Sequence, residues 1–190
     1  WVSYPEIVRF AGADVVDLPT DAAGGFRITA AQLEAALTPA TRWLLLNSPG
    51  NPTGAVYPAE ELRALGDVLR RYPRVLVMSD DIYAPLRYGD GAHATLAVEC
   101  PDLADRVLTV SGVSKSHAMT GSRLGWMIAP EAVIAAAVDL ATNTTYGTPG
   151  FIQDAAVFAL NQGPAFEEQI AAPFRRRRAL IAPALAGSNR

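Results

Sequence analysis

Lysine is almost absent from this chain of 190 residues: of its 16 basic residues, 15 are arginine and one, Lys115, is lysine. Cysteine is equally scarce. The single Cys100 excludes an internal disulfide framework and a multi-cysteine zinc site, reads as an inert filler, and fits a cytosolic, cytoplasmic setting. Charge is sparse too, at 18% of residues against 50% hydrophobic, and the formal net charge of −3 leaves no overall basic field to recruit nucleic acid. No apolar run reaches the roughly 18 residues that a membrane span needs, so no membrane partner is expected. What remains is the composition of a globular α/β protein with room for one sizeable core. The chain opens at Trp1 without Met and closes just after a helical run, so a piece of a longer protein is expected.

The scarcity of lysine gives Lys115 its weight. A guanidinium stays protonated, whereas an ε-ammonium can lose its proton when desolvated and attack a carbonyl. A solitary lysine in an arginine-rich chain is therefore a candidate Schiff-base former. A coding bias toward arginine would also leave one lysine behind by chance, and its neighbours decide between the two.

Pro5 at a helix start suggests a short helix over residues 4–11. Thr29 is placed to cap a helix over Ala30–Leu37. Arg42–Asn47 is a short apolar run ending in Ser-Pro-Gly-Asn-Pro-Thr-Gly, the pattern of a buried parallel strand meeting a loop. Pro58–Tyr72 is amphipathic, with Leu62, Leu65, Val68 and Leu69 on one face. Further strands are expected at Val75–Ser79, Val107–Ser111 and Leu124–Ala129, the last stopped by Pro130, with a loop-rich stretch over 84–102. Helices are expected over Glu131–Ala141, Phe151–Leu160 and Pro164–Leu185. On the last, the run Arg175–Arg178 reads as a solvated turn, with Leu180 and Ile181 turned inward.

Strands alternating with helices imply a three-layer α/β fold with a mostly parallel sheet covered on both faces. Ligands bind beyond the carboxyl ends of strands in such sheets. Three successive strands here run into polar deposits: Asn51, then Asp80 with Tyr83, then Lys115. A purely structural core needs no amide, carboxylate, phenol and lone amine at equivalent strand ends. A lysine that holds pyridoxal phosphate does need such company. A carboxylate must keep the pyridine nitrogen protonated, donors must meet the ring oxygen, and arginine, hydroxyls or backbone N–H groups must hold the phosphate.

Four segments carry a resemblance: Trp1–Pro5; Asn47–Gly54; Ser79–Tyr83; and Gly112–Gly125, which reads Gly-Val-Ser-Lys-Ser-His-Ala-Met-Thr-Gly-Ser-Arg-Leu-Gly. They resemble class I aminotransferases with the fold of aspartate aminotransferase, which use pyridoxal 5'-phosphate. The resemblance implies an incomplete large domain of the fold type I transferases over residues 1–162, with 163–190 as an interdomain helix leading to a small domain outside the chain. It also implies roles. Lys115 would hold the cofactor as a Schiff base and then act as the proton-moving base. Asp80 would pair with the pyridinium nitrogen, and Tyr83 and Asn51 would reach the ring oxygen. Asn51 would also reach the substrate carboxylate. Arg123 would clamp the phosphate, with Ser111 or Ser114 as a further contact, and Trp1 would stack on the ring. The family often has serine at position 112 and tryptophan at 122, where this chain has Gly112 and Ser122. Asp81 takes a position more often glutamate and is expected to face elsewhere; His117 reads as a loop or packing residue.

The activity implied is transamination between an amino acid and a 2-oxo acid, by a homodimer when full length. The segment Trp1–Gly54 looks most like bacterial aspartate-type enzymes, whereas Ser116–Met119 and Tyr146–Asp154 look closer to arginine–pyruvate-type ones. A carbon–sulfur lyase on the same fold would use Lys115, Asp80 and Arg123 equally, and a cofactor-sensing domain of a transcription regulator is a rival from another class. The resemblance further implies a cis Asn51–Pro52 bond, and a piece that is inactive alone.

Overall fold

The computed structural model describes residues 1–88 and 91–186. Its helices are α1 (Ser3–Phe10), α2 (Ala30–Ala36), α3 (Ala59–Arg70), α4 (Leu96–Glu99), α5 (Val113–Ser116), α6 (Glu131–Thr144), α7 (Gly150–Leu160) and α8 (Pro164–Ala186). Its strands are β1 (Trp43–Asn47), β2 (Leu76–Asp80), β3 (Val107–Gly112) and β4 (Gly125–Ile128). They hydrogen-bond in the order β1-β2-β3-β4, an open sheet that mixes parallel and antiparallel neighbours. The backbone divides into two compact units: Trp1–Ser79 with Ala94–Leu108, and Asp80–His93 with the chain from Thr109 onward.

The first unit is built on the apolar periodicity of α3. Leu62, Leu65, Val68 and Leu69 recur at helical spacing and are all buried. They pack with Leu33 of α2, Leu44 and Leu46 of β1, Val75, Val77, Leu96, Cys100, Leu103 and Val107. Thr29 and Gln32 form a reciprocal capping box that starts α2, as the Thr29 signal implies. Gly66 has a packing reason: a Cβ there would overlap the Cys100 sulfur. Burial pushes the Cys100 thiol up from its ordinary pKa. Past the other end of α3, the Arg106 guanidinium donates to the carbonyls of Leu69, Tyr72 and Val75 at 3.2, 2.9 and 3.0 Å, a second donor for Leu69 and Tyr72, which also accept the Tyr72 and Val75 N–H groups.

The stretch 84–102, expected as loop, contains the 3-10 turn Ala84–Leu86, all of α4 and the start of a second 3-10 run, Pro101–Arg106. These pieces are too short to show periodicity, yet Leu96 and Leu103 of them enter the first unit's core.

In the second unit β3 and β4 run antiparallel, pairing Thr109 with Ile128, Val110 with Met127, Ser111 with Trp126 and Gly112 with Gly125. The helices that follow bury little: α6 buries none of its residues, α7 only Ala156 and Ala159, and α8 only Ala171. Leu180 and Ile181 are exposed, correcting the expectation that they turn inward. Residues 187–190 of the expected 163–190 segment lie outside the described residues. Among the described residues no helix is long and apolar enough to cross a membrane.

Candidate active site

The second unit gathers six of the eight residues singled out in the sequence: Asp80, Tyr83, Ser111, Ser114, Lys115 and Arg123. Asp80 is the last residue of β2. Its Oδ1 accepts from the Ile82 N–H at 3.1 Å, a side-chain-to-backbone turn that takes the chain off the strand. The Asp81 N–H donates to the Val110 carbonyl at 2.9 Å, so pairing continues one residue past β2. Tyr83 then starts the 3-10 turn, its carbonyl accepting from the Leu86 N–H at 2.8 Å. The phenol is thus fixed three residues beyond the carboxylate.

Ser111 and Gly112 end β3, and the chain closes at once into α5, a single helical turn. Gly112 and Gly125 face each other across the β3–β4 pair. A Cβ at Gly112 would come within 2.9 Å of the Leu124 carbonyl oxygen, and one at Gly125 within 2.9 Å of that of Ser111. The departure from serine at position 112 therefore has a steric reason in this backbone. Ser111 and Ser114 are both half-buried, and both remain hydroxyl candidates. Val113 is buried and anchors α5, while Lys115 is half-buried. The Lys115 Nζ lies 5.6 Å from the centre of the Tyr83 ring, within cation–π range.

Two residues with left-handed backbone follow, Ala118 at φ 54° and Arg123 at φ 51°. They flank the 3-10 turn Thr120–Ser122. For a residue with a side chain that conformation costs roughly 1–2 kcal/mol, so the turn holding Arg123 is kept against a local penalty. The Arg123 side chain is exposed and donates to the Thr120 carbonyl at 2.9 Å.

Trp1 and Asn51 belong to the first unit and meet each other: the Trp1 backbone nitrogen lies 3.3 Å from the Asn51 carbonyl oxygen. The Asn51 N–H donates to Asn47 Oδ1 at 3.0 Å, and Gly54 N–H to the Gly50 carbonyl at 2.7 Å, which folds the loop tightly on itself. Asn51–Pro52 is cis, as expected; Ser48–Pro49 is cis as well, which the sequence did not suggest.

Sequence reasoning singled out neither His93 nor its pairing with Asp81. The Asp81 carboxylate is buried, with Oδ2 3.6 Å from His93 Nε2. A His at the end of a loop of mixed composition carries no periodicity that would have disclosed it. His117 is a packing residue, as expected, stacked on Phe166 with ring centres 5.6 Å apart. It also lies 2.7 Å, through Nδ1, from Ser116 Oγ, a contact the sequence did not suggest. Among the described residues no cluster of three or more His, Cys, Asp or Glu could hold a metal ion.

The donor set of the second unit — an amine beside a phenol ring, a strand-end carboxylate, two hydroxyls and a guanidinium — fits a phosphorylated pyridine aldehyde by its chemistry.

The comparisons with known proteins agree. The family model described as aminotransferase class I and II matches residues 1–188. An aspartate aminotransferase of Rhizobium meliloti is 44% identical over 181 residues, 95% of this chain and 44% of that protein. An aspartate/prephenate aminotransferase of Cereibacter sphaeroides is 43% identical over 95% of this chain and 45% of its own length. The crystal structure of the Rhizobium meliloti enzyme superposes with a TM-score of 0.92, covering 95% of this chain and 45% of that one. An aromatic aminotransferase from Pyrococcus horikoshii does so at 0.88 with 34% identity, over 98% of this chain and 50% of that one. The chain thus spans about half the length of the relatives it matches. The family model covers nearly the whole chain, and the chain belongs to the class I and II aminotransferase family.

Proposed function

We propose that this chain is the lysine-bearing part of a pyridoxal 5'-phosphate-dependent aminotransferase that moves an amino group between an amino acid and a 2-oxo acid. The observation that carries the reading is the placement of the only lysine of the sequence. Lys115 stands on a one-turn helix just beyond a strand end, its Nζ 5.6 Å from the ring of Tyr83, with the Asp80 carboxylate three residues before that ring.

The bound cofactor supplies an aldehyde for amines to condense with and a ring that accepts the electrons released at the substrate Cα. The residues of the chain supply the rest. The Lys115 amine would hold the cofactor aldehyde, and its Nζ would serve as the base that moves the substrate Cα proton. Asp80 would pair with the ring nitrogen and favour its protonated form. By the family resemblance, the Tyr83 hydroxyl and the Asn51 amide would be donors to the ring oxygen, and Asn51 would also serve the substrate carboxylate. Arg123 would hold the phosphate with its planar fork, assisted by the Ser111 or Ser114 hydroxyl, and Trp1 would supply an aromatic partner for the ring. The segment from residue 163 leads toward the second domain of the full protein.

The names of the relatives favour aspartate as amino donor, with aromatic or prephenate-type acceptors in range. The full-length protein is proposed to be a homodimer, a reading supported by the exposed apolar side chains of the second unit, among them Tyr146 at 90%.

The test is covalent trapping. Full-length protein loaded with pyridoxal phosphate is reduced with borohydride and the modified peptide mapped. An adduct on Lys115 is expected; an adduct elsewhere, or none, overturns the reading. Product analysis then separates transamination, which yields a 2-oxo acid and a new amino acid, from lyase chemistry, which releases ammonia.

A further inference from the structure

α5 is one helical turn, far shorter than a helix that sustains itself in water. The turn bearing Lys115 must therefore be held by side chains, and the structure shows which. Ser116 Oγ donates to the Gly112 carbonyl, four residues back, at 3.3 Å, and lies 2.7 Å from His117 Nδ1. Both side chains are buried. The imidazole stacks on Phe166 of α8, with ring centres 5.6 Å apart and planes 20° apart. The backbone adds two bonds to one acceptor, from the His117 and Met119 N–H groups to the Val113 carbonyl at 3.1 and 3.3 Å. The result is a continuous brace running from the end of β3 through Ser116 and His117 to α8. A phenylalanine would fill the same space and keep the stack. What the imidazole adds is a short polar contact to the one hydroxyl that also reaches the β3 carbonyl.

We propose that His117 is a positioning residue for Lys115, acting through the Ser116 hydroxyl to fix the turn that carries the amine. The proposal rests on the reading of Lys115 as the cofactor lysine. Its polar and packing parts are separable by substitution. His117→Phe keeps the stack and deletes the hydrogen bond. His117→Asn keeps a polar atom near the place of Nδ1 and deletes the stack. Ser116→Ala removes the hydroxyl with little change in volume.

The experiment uses the full-length protein stripped of cofactor. The rate of covalent capture of pyridoxal phosphate is followed by borohydride quenching and peptide mass spectrometry, and steady-state kinetics are measured on the reloaded protein. His117→Phe and Ser116→Ala are each expected to slow capture at Lys115 by roughly three- to tenfold, the scale of one hydrogen bond. They are expected to lower kcat with KM unchanged, and His117→Asn is expected to restore both. Wild-type capture and kcat in His117→Phe would overturn the proposal. So would equal impairment in His117→Asn, which would make the stack the whole of the effect. If His117→Phe fails to fold, Ser116→Ala decides by the same readout. A wild-type adduct mapped away from Lys115 would instead sink the site reading beneath it.

Discussion

The two compact units bury their apolar residues to different degrees. In the first, α3 places Leu62, Leu65, Val68 and Leu69 into one cluster with residues from α2, β1, β2 and α4. In the second, α6 buries nothing, α7 and α8 bury only alanines, and Phe151 and Phe158 stand 74% and 69% exposed. Yet the second unit carries Asp80, Tyr83, Lys115 and Arg123. Cohesion and chemistry thus reside in different stretches of the chain. Burial of apolar area contributes roughly 25 cal/mol per Å², so stability concentrates in the first unit. The exposed apolar residues of α6 and α7 leave an extended apolar surface on the second unit.

The sharpest test of that division is a pair of substitutions. Lys115→Ala is expected to lower transamination by the full-length protein by about 10²–10⁴-fold or more, the range for losing a positioned base, while its urea midpoint stays near wild type. Leu65→Ala should do the reverse. It leaves a cavity at a side chain that is 1% exposed, and large-to-small changes of this kind cost about 2–5 kcal/mol, with kcat per folded molecule nearly unchanged. A large loss of stability in Lys115→Ala, or of kcat in Leu65→Ala, would break the comparison.

Within the first unit two smaller effects grade its cohesion. Gly66→Ala pushes a methyl into the Cys100 sulfur and should destabilise by about 1–3 kcal/mol, as overpacking does. The double variant with Cys100→Ala should recover part of the loss, which urea unfolding of the two singles and the double will measure. Additivity would mean that the two side chains do not compete for the space. Arg106→Ala leaves the carbonyls of Leu69, Tyr72 and Val75 without their guanidinium and should cost about 1–2 kcal/mol. Arg106→Lys should recover only part, since a point charge cannot serve three divergent acceptors.

The elements that were legible in the sequence are those with a local signal. The apolar run Trp43–Asn47, the periodicity of α3 and the Thr29 capping box each announce themselves over a few residues. The lysine-bearing stretch was singled out for a different reason, its resemblance over Gly112–Gly125 to the aminotransferase signature. What stayed hidden was set by tertiary contact. α5 lies in a run of Gly, Ser and Val with no helical period, and its turn is closed by a hydroxyl and an imidazole brought in from beside it. Leu96 and Leu103 are buried from segments too short to read as helices. Leu180 and Ile181 follow an arginine run on a helix that buries only Ala171, so spacing alone assigned them the wrong face. The Asp81–His93 pairing spans a loop that no pattern closes.

The smallest expected effect concerns the ion pair on the rim of the first unit. The Arg70 guanidinium donates to both Asp102 oxygens, at 2.7 and 2.8 Å. Its hydrogen bonds hold the Asp102 carboxyl below the ordinary carboxylate pKa. In the unfolded chain Asp102 takes up a proton near pH 4; in the folded chain it does so only at lower pH. The unfolded state therefore binds more protons in that window, and the stabilisation is fully present above the unfolded pKa and lost as pH falls through the folded one. Both side chains are substantially exposed, so salt screens the pair and its contribution is small. Asp102→Asn should flatten the fall of the urea midpoint as pH drops below about 4 relative to wild type, and the difference should shrink at high salt. If the two profiles stay parallel at low salt, the pair contributes nothing to folding. The first unit's stability would then rest on its apolar core and its other ion pairs, such as Arg27–Glu61.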